Sequence, residues 1–230
     1  MSSSPLLSPG ARRALDDLAA DFARIFGVRF EALVAYTEPH AVAFVTTLTA
    51  GDLDACGALA DTWHRHGLRT PLVMTADEFR HSLDAFPLEY QAILDAHVVI
   101  AGTPPFTGVA INQQDVRRAC EAQARGFLIH LRQGWIDAAG HHDRLAACLA
   151  ASASPLRNLL TNSARLQARP GSPGDLPAFA RDVVRMPADL VTAVLALEHA
   201  PDRALSLVPR MGEYLAACER LWEFVDAWRD

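Results

Sequence analysis

Hydrophobic positions follow two rhythms along the chain, and the change between them divides it. In the front half, Ser8-Pro9 supplies a helix cap followed by proline at the first helical position. Leu15, Leu18, Phe22 and Ile25 then recur at helical spacing until Gly27 stops the pattern. Two apolar, β-branched runs follow, over 31–36 and 41–48. Only Thr37-Glu38-Pro39-His40 separates them, too short for a crossover helix, so they predict an antiparallel hairpin whose second strand is buried on both faces. A helix from Asp52 to about Gly67 carries Leu53, Cys56, Leu59, Ala60 and Trp63 on one side. A strand over 71–74 leads to Thr75, which with Glu78 three residues on forms a capping box. The helix opened there must kink or restart at Pro87. A fourth strand spans 97–101, which completes an α/β region built on a small mixed sheet.

After Gly102-Thr103-Pro104-Pro105-Phe106-Thr107-Gly108 the strand rhythm is gone. We place the domain boundary there, giving an α/β domain over 1–108 and an all-α helical bundle over 109–230. Asn112 is the expected cap of a long helix with Val116, Cys120, Phe127, Leu131 and Trp135 on one stripe. A second helix covers 143–149, with a restart expected after Ser154-Pro155 and an end near Leu166. A Pro/Gly loop over 169–177 precedes a helix around 190–198. The last helix has Met211, Leu215, Cys218, Trp222 and Val225 as its seam.

Composition narrows the function more than the fold. Half of the 230 residues are hydrophobic, enough for a packed core. No apolar run approaches the ~20 residues of a membrane span, and the Ser/Pro-rich start lacks the apolar stretch of a signal peptide, so a cytoplasmic protein is expected. The cysteines at 56, 120, 148 and 218 fall in predicted helices at spacings that suit reduced core thiols rather than zinc. All 21 basic residues are arginine, which excludes Schiff-base and P-loop lysine chemistry. Residues 1–108 hold 7 Arg against 13 acidic residues, while 109–230 hold 14 of each. An acidic front half with no basic patch argues against nucleic acid as a partner.

The order of the opening helix, the strand pair, Pro71-Leu72-Val73-Met74-Thr75, Ser82-Leu83-Asp84-Ala85-Phe86-Pro87-Leu88-Glu89-Tyr90 and Ile100-Ala101-Gly102 resembles a bacterial subgroup of nucleotidyltransferase-fold proteins, of the polymerase-beta-like superfamily. Arg117, Glu121 and Leu131-Arg132-Gln133-Gly134-Trp135 extend the resemblance, which spans about residues 12–165. It implies a nucleotidyltransferase-like α/β domain followed by helices. Active members carry Gly-Ser after the first strand and Asp-x-Asp on the second, to hold Mg²⁺ and a nucleoside triphosphate. Here those positions read Ala35-Tyr36-Thr37-Glu38-Pro39-His40-Ala41-Val42-Ala43-Phe44, and the chain's Gly171-Ser172 lies in a late loop. The resemblance therefore implies a protein that has lost nucleotidyl transfer and acts by binding a small ligand or a protein partner, with no cofactor.

Several residues stay open to two readings. Asp52 and Asp54 are either acidic residues at a helix start or, in an active Mg²⁺-dependent enzyme, relocated metal ligands. Glu38 is a turn residue or a stray ligand. Ser82, Asp84 and Glu89 either line a cleft or bond backbone freed by Pro87 while Phe86 and Leu88 plug the core. Arg118, Arg125 and Arg132, with Arg117 and Glu121 beside them, form either an anion or partner surface or a self-paired helix face. One expectation joins the last two groups, with Arg117 or Arg125 pairing with Asp84 or Glu89. His64-Arg65-His66 suits a helix end, and His141-His142 a turn. Trp222 and Trp228 are candidates for a homodimer surface, a purely structural or assembly role being the third possibility.

Overall fold

The computed structural model describes residues 7–36, 40–167 and 175–228. The chain divides into two compact units, Met1–Asn112 and Gln113–Asp230. The first unit runs α1 (Pro9–Phe26), β1 (Phe30–Tyr36), β2 (His40–Val45), α2 (Ala50–Arg65), β3 (Leu72–Met74), α3 (Ala76–His81), α4 (Pro87–Asp95) and β4 (His97–Gly102). The second runs α5 (Gln113–Ala138), α6 (His142–Leu166), α7 (Leu176–Phe179), a π-helical turn at Ala180–Val184, α8 (Ala188–Ala196), α9 (Ala204–Leu207) and α10 (Met211–Ala227). A mixed sheet precedes an all-helical region, as the hydrophobic rhythm predicts.

The four strands lie in the order β3-β2-β1-β4. β1 pairs antiparallel with both β2 and β4, while β3 lies parallel to β2 after the α2 crossover. Side chains alternate across the two central strands. Leu33, Ala35, Ala41, Ala43 and Val45 share a core with Leu15, Leu18 and Phe22 of α1 and Cys56 and Trp63 of α2. The opposite face presents Phe44, whose ring meets Phe79 and Phe106 edge-on at 5.5 and 5.6 Å. Each fully buried Leu or Phe contributes about 1.5–3 kcal/mol. An exposed α1 pair such as Arg12–Asp16 is worth about 0.3–0.5 kcal/mol, so burial rather than surface charge fixes the helix.

Local signals set the helix ends. Ser8 caps α1 by accepting from the Ala11 amide, and Thr75 with Glu78 closes the capping box of α3. The chain restarts at Pro87 as α4. Around it the structure corrects the expected plug: Phe86 is 56% exposed, Leu88 is half-buried, and Pro87 and Tyr90 are buried instead. Tyr90 reaches Phe79 edge-on at 4.9 Å, so the larger ring one turn on takes the core place.

In the second unit four expectations are revised. α6 does not restart at Pro155 but continues through it. The proline forfeits one backbone hydrogen bond and costs about 3 kcal/mol. Leu149, Leu156, Leu159 and Leu160 are buried on either side at about 1.5–3 kcal/mol each, so burial wins. On α5, Ala124 and Leu128 are buried while Phe127 and Trp135 are half-buried. On α10 the buried seam is Met211, Tyr214, Ala217, Cys218, Leu221 and Val225, with Leu215 and Trp222 beside it. Finally, Leu176 and Pro177, expected in a loop, open α7. The four cysteines are free; Cys56, Cys120 and Cys218 are buried, and burial pushes the Cys120 thiol up to about 12. Among the described residues no helix is long and apolar enough to cross a membrane.

Candidate functional site

The resemblance directs attention first to the β1–β2 hairpin. Tyr36 pairs with His40 at its described end, and His40–Val45 of β2 contains no carboxylate. Thr37-Glu38-Pro39, with the Glu38 candidate, and Gly171-Ser172 lie outside the described residues.

Asp52 occupies the third position of α2, where Thr49 is the cap. The Asp52 amide donates to Thr49 Oγ1 at 3.3 Å. In return the Thr49 amide and hydroxyl donate to Asp52 Oδ2 at 2.9 and 2.8 Å. Arg29, from the turn before β1, grips the same carboxylate from both sides, with Nη1 to Oδ2 and Nη2 to Oδ1 each at 2.7 Å. Its guanidinium carbon also lies 5.4 Å from the centre of the Phe26 ring. The Arg29 and Thr49 hydrogen bonds hold the Asp52 carboxyl well below the usual carboxylate range. Asp52 is 8% exposed and both its oxygens are engaged. Asp54 lies two residues on, roughly 200° around the helix, and is exposed. The helix-start reading accounts for Asp52, whose carboxylate is taken up by Arg29 and Thr49, while Asp54 is exposed on another side of the helix. Among the described residues no group of three or more His, Cys, Asp or Glu is placed to hold a metal ion.

The segment before Pro87 is tied down rather than poised. The Ser82 hydroxyl approaches the Glu78 carbonyl at 2.6 Å and the Tyr90 hydroxyl at 2.9 Å. Tyr36 donates to Glu89 Oε1 at 3.4 Å. Burial, then the nearby Glu89 carboxylate, raises the Tyr36 phenol far above its ordinary value. Asp84 is exposed. Ser82 and Glu89 thus link α4 to α3 and to β1, using the tyrosines at 36 and 90.

Each arginine of the α5 series finds an acid within its own unit. Arg118 pairs with Asp115 at 2.7 Å, and Arg117 and Arg125 with Glu121 at 3.4 and 3.2 Å. Arg125 also meets Asp226 at 3.7 Å and lies over the Trp222 ring, while Arg132 meets Glu219 at 2.6 Å. Two of the three stripe arginines therefore fasten α5 to α10, which neither sequence reading foresaw. His64 is in the last turn of α2 with His66 at its cap, as expected, whereas His141 caps α6 and His142 opens it rather than lying in a turn, both exposed.

Two concavities complete the picture. In the first unit a hollow of about 380 Å³ is lined by Ser8, Leu15, His40 and His66 among others. In the second, a hollow of about 390 Å³ opens between α5 and α6. Sequence reasoning missed both, because their lining residues, Gly126 and Ala151 among them, read as ordinary positions of helices, strands and turns. Compared with known proteins, the chain matches no family model and no curated protein sequence.

Proposed function

We propose that this is a nucleotidyltransferase-like protein that has lost nucleotidyl transfer and acts by binding. The single observation that carries the reading is the state of Asp52. A carboxylate that serves Mg²⁺ must present free oxygens to it, whereas both Asp52 oxygens answer to Arg29 and Thr49. Freeing them means breaking a bidentate ion pair and a capping box together. Asp54 faces solvent elsewhere on the helix, and β2 supplies no acid over His40–Val45. Neither Asp52, Asp54 nor β2 over His40–Val45 thus supplies the carboxylate pair that a metal-bound triphosphate needs.

Thermal melts of the full chain with ATP, GTP, CTP and UTP, with and without Mg²⁺ or Mn²⁺, test this. A ligand at a hundredfold excess over its Kd stabilises a fold by ~2.7 kcal/mol. We expect no nucleotide to stabilise the protein in a metal-dependent way. Metal-dependent stabilisation that Asp54→Ala abolishes would restore the active enzyme and end the proposal.

A further inference from the structure

The α5–α6 hollow has a composition that specifies its occupant. Nine residues line it, and none is Asp, Glu or Arg, although residues 109–230 carry 14 Arg and 14 acidic side chains. Phe127, Leu131 and Pro155 supply apolar walls. Gly126 faces this open space: a Cβ built there meets nothing within 4 Å. The one buried polar group, Ser152, is already satisfied, its hydroxyl lying 2.7 Å from the Leu149 carbonyl and 2.9 Å from the Tyr214 hydroxyl. At His130, Nδ1 lies 3.1 Å from Gln133 Oε1. That oxygen only accepts, so in the neutral ring Nδ1 carries the hydrogen and Nε2 remains an acceptor.

We propose that this hollow binds an uncharged, largely apolar small molecule of about two fused or linked rings, carrying one hydrogen-bond donor for His130. The proposal rests on the binding reading above and names its site and ligand class. Size favours a small molecule: about 390 Å³ falls within the roughly 300–1,000 Å³ of ligand pockets. Nine lining residues give it the footprint of a small ligand rather than of a whole protein interface. Charge favours a neutral one, since an ionised group would lie against Phe127, Leu131 and Pro155 with no counter-charge among the lining residues.

The test is a fluorescence titration of the full chain with N-phenyl-1-naphthylamine, a neutral two-part aromatic with a single N–H donor. We expect saturable binding at one molecule per chain, displaced by 1-naphthol and not by 1-naphthoate. Gly126→Leu fills the hollow from α5 and is expected to weaken binding at least tenfold without lowering the melting temperature. Ala151→Leu fills it from α6 and gives the same loss should the first variant fold poorly. His130→Ala is expected to weaken the probe several-fold while leaving naphthalene unchanged. Absence of saturable binding, displacement by naphthoate as effective as by naphthol, or undiminished binding in both filled variants would each overturn the proposal. So would probe uptake that falls as protein concentration and melting temperature rise together, which would mark a second copy as the occupant. Nucleotide melts read the first unit's chemistry separately, so either conclusion can fail while the other stands.

Discussion

Arg29 and Asp52 show how a residue that looks chemical is made structural. They stand 23 residues apart, and the pair joins the turn before β1 to the first turn of α2. Because the native carboxyl titrates far below its ordinary value, the pair's contribution to stability has a defined pH window. It is fully present above the unfolded aspartate pKa of ~3.9 and is lost as pH falls from there through the lower native value. Urea melts of the wild type and Asp52→Asn are therefore expected to differ by a constant amount from pH 8 to about pH 5, with the gap closing below about pH 4. A gap that is unchanged at pH 3, or absent at pH 7, would show that the carboxylate is not held as described. The sequence discloses a helix start near Asp52, although the helix opens two residues earlier, at Ala50, with Thr49 as its cap. It did not disclose the arginine, because a contact across 23 residues leaves no local mark.

Elements were legible where their signals are local and obscured where packing decides. Ser8, Thr75 and Pro87 each act within a turn of themselves, and α1, α3 and α4 begin where those residues place them. The stripes of α5 and α10 drift by a residue or so because alanines 124 and 217 are buried as fully as leucines, and hydrophobicity alone does not rank them. α7 and α9 have four residues each, too few for a period. At the end of β4, Gly102 has φ +70°, and a Cβ there would stand 1.9 Å from the Glu31 carbonyl oxygen and 2.9 Å from the Ala32 Cα. The Thr103 amide donates to the same carbonyl at 3.2 Å, so the two backbones are held together. Gly102→Ala is expected to destabilise the first unit by more than ~3 kcal/mol, combining left-handed strain with a clash against backbone that has no rotamer to yield. The check is a chemical-denaturation midpoint, with Gly108→Ala as control: Gly108 also has positive φ, but its Cβ meets nothing within 4 Å, so the strain acts alone. Equal losses at the two sites would refute the backbone-clash account.

At the scale of the molecule, two cores form from two kinds of contact. The first unit closes a four-stranded sheet, with α1 and α2 on one face and the rings of Phe79 and Phe106 on the other. The second is helical, its α5–α6 seam so close that a Cβ on Gly134 would come within 2.6 Å of Cys148 Sγ. Charge separates the units as well: the acidic excess of the whole chain, −6, is the excess of the front half alone. Each unit exceeds 110 residues, well above the roughly 40 below which disulfides or metals become necessary. The fragments 1–112 and 113–230 are therefore each expected to fold alone, with a cooperative melt. Fluorescence can assign the transitions: Trp63 is the tryptophan of the first, and Trp135, Trp222 and Trp228 belong to the second. Trp63 is buried, its Nε1 donating to Asp21 at 2.9 Å beside the Phe22 ring, so its emission is expected to shift red as the first fragment unfolds. A first fragment with solvent-like Trp63 emission before any denaturant is added would mean that this core does not form by itself, and that the division into two self-sufficient cores is wrong.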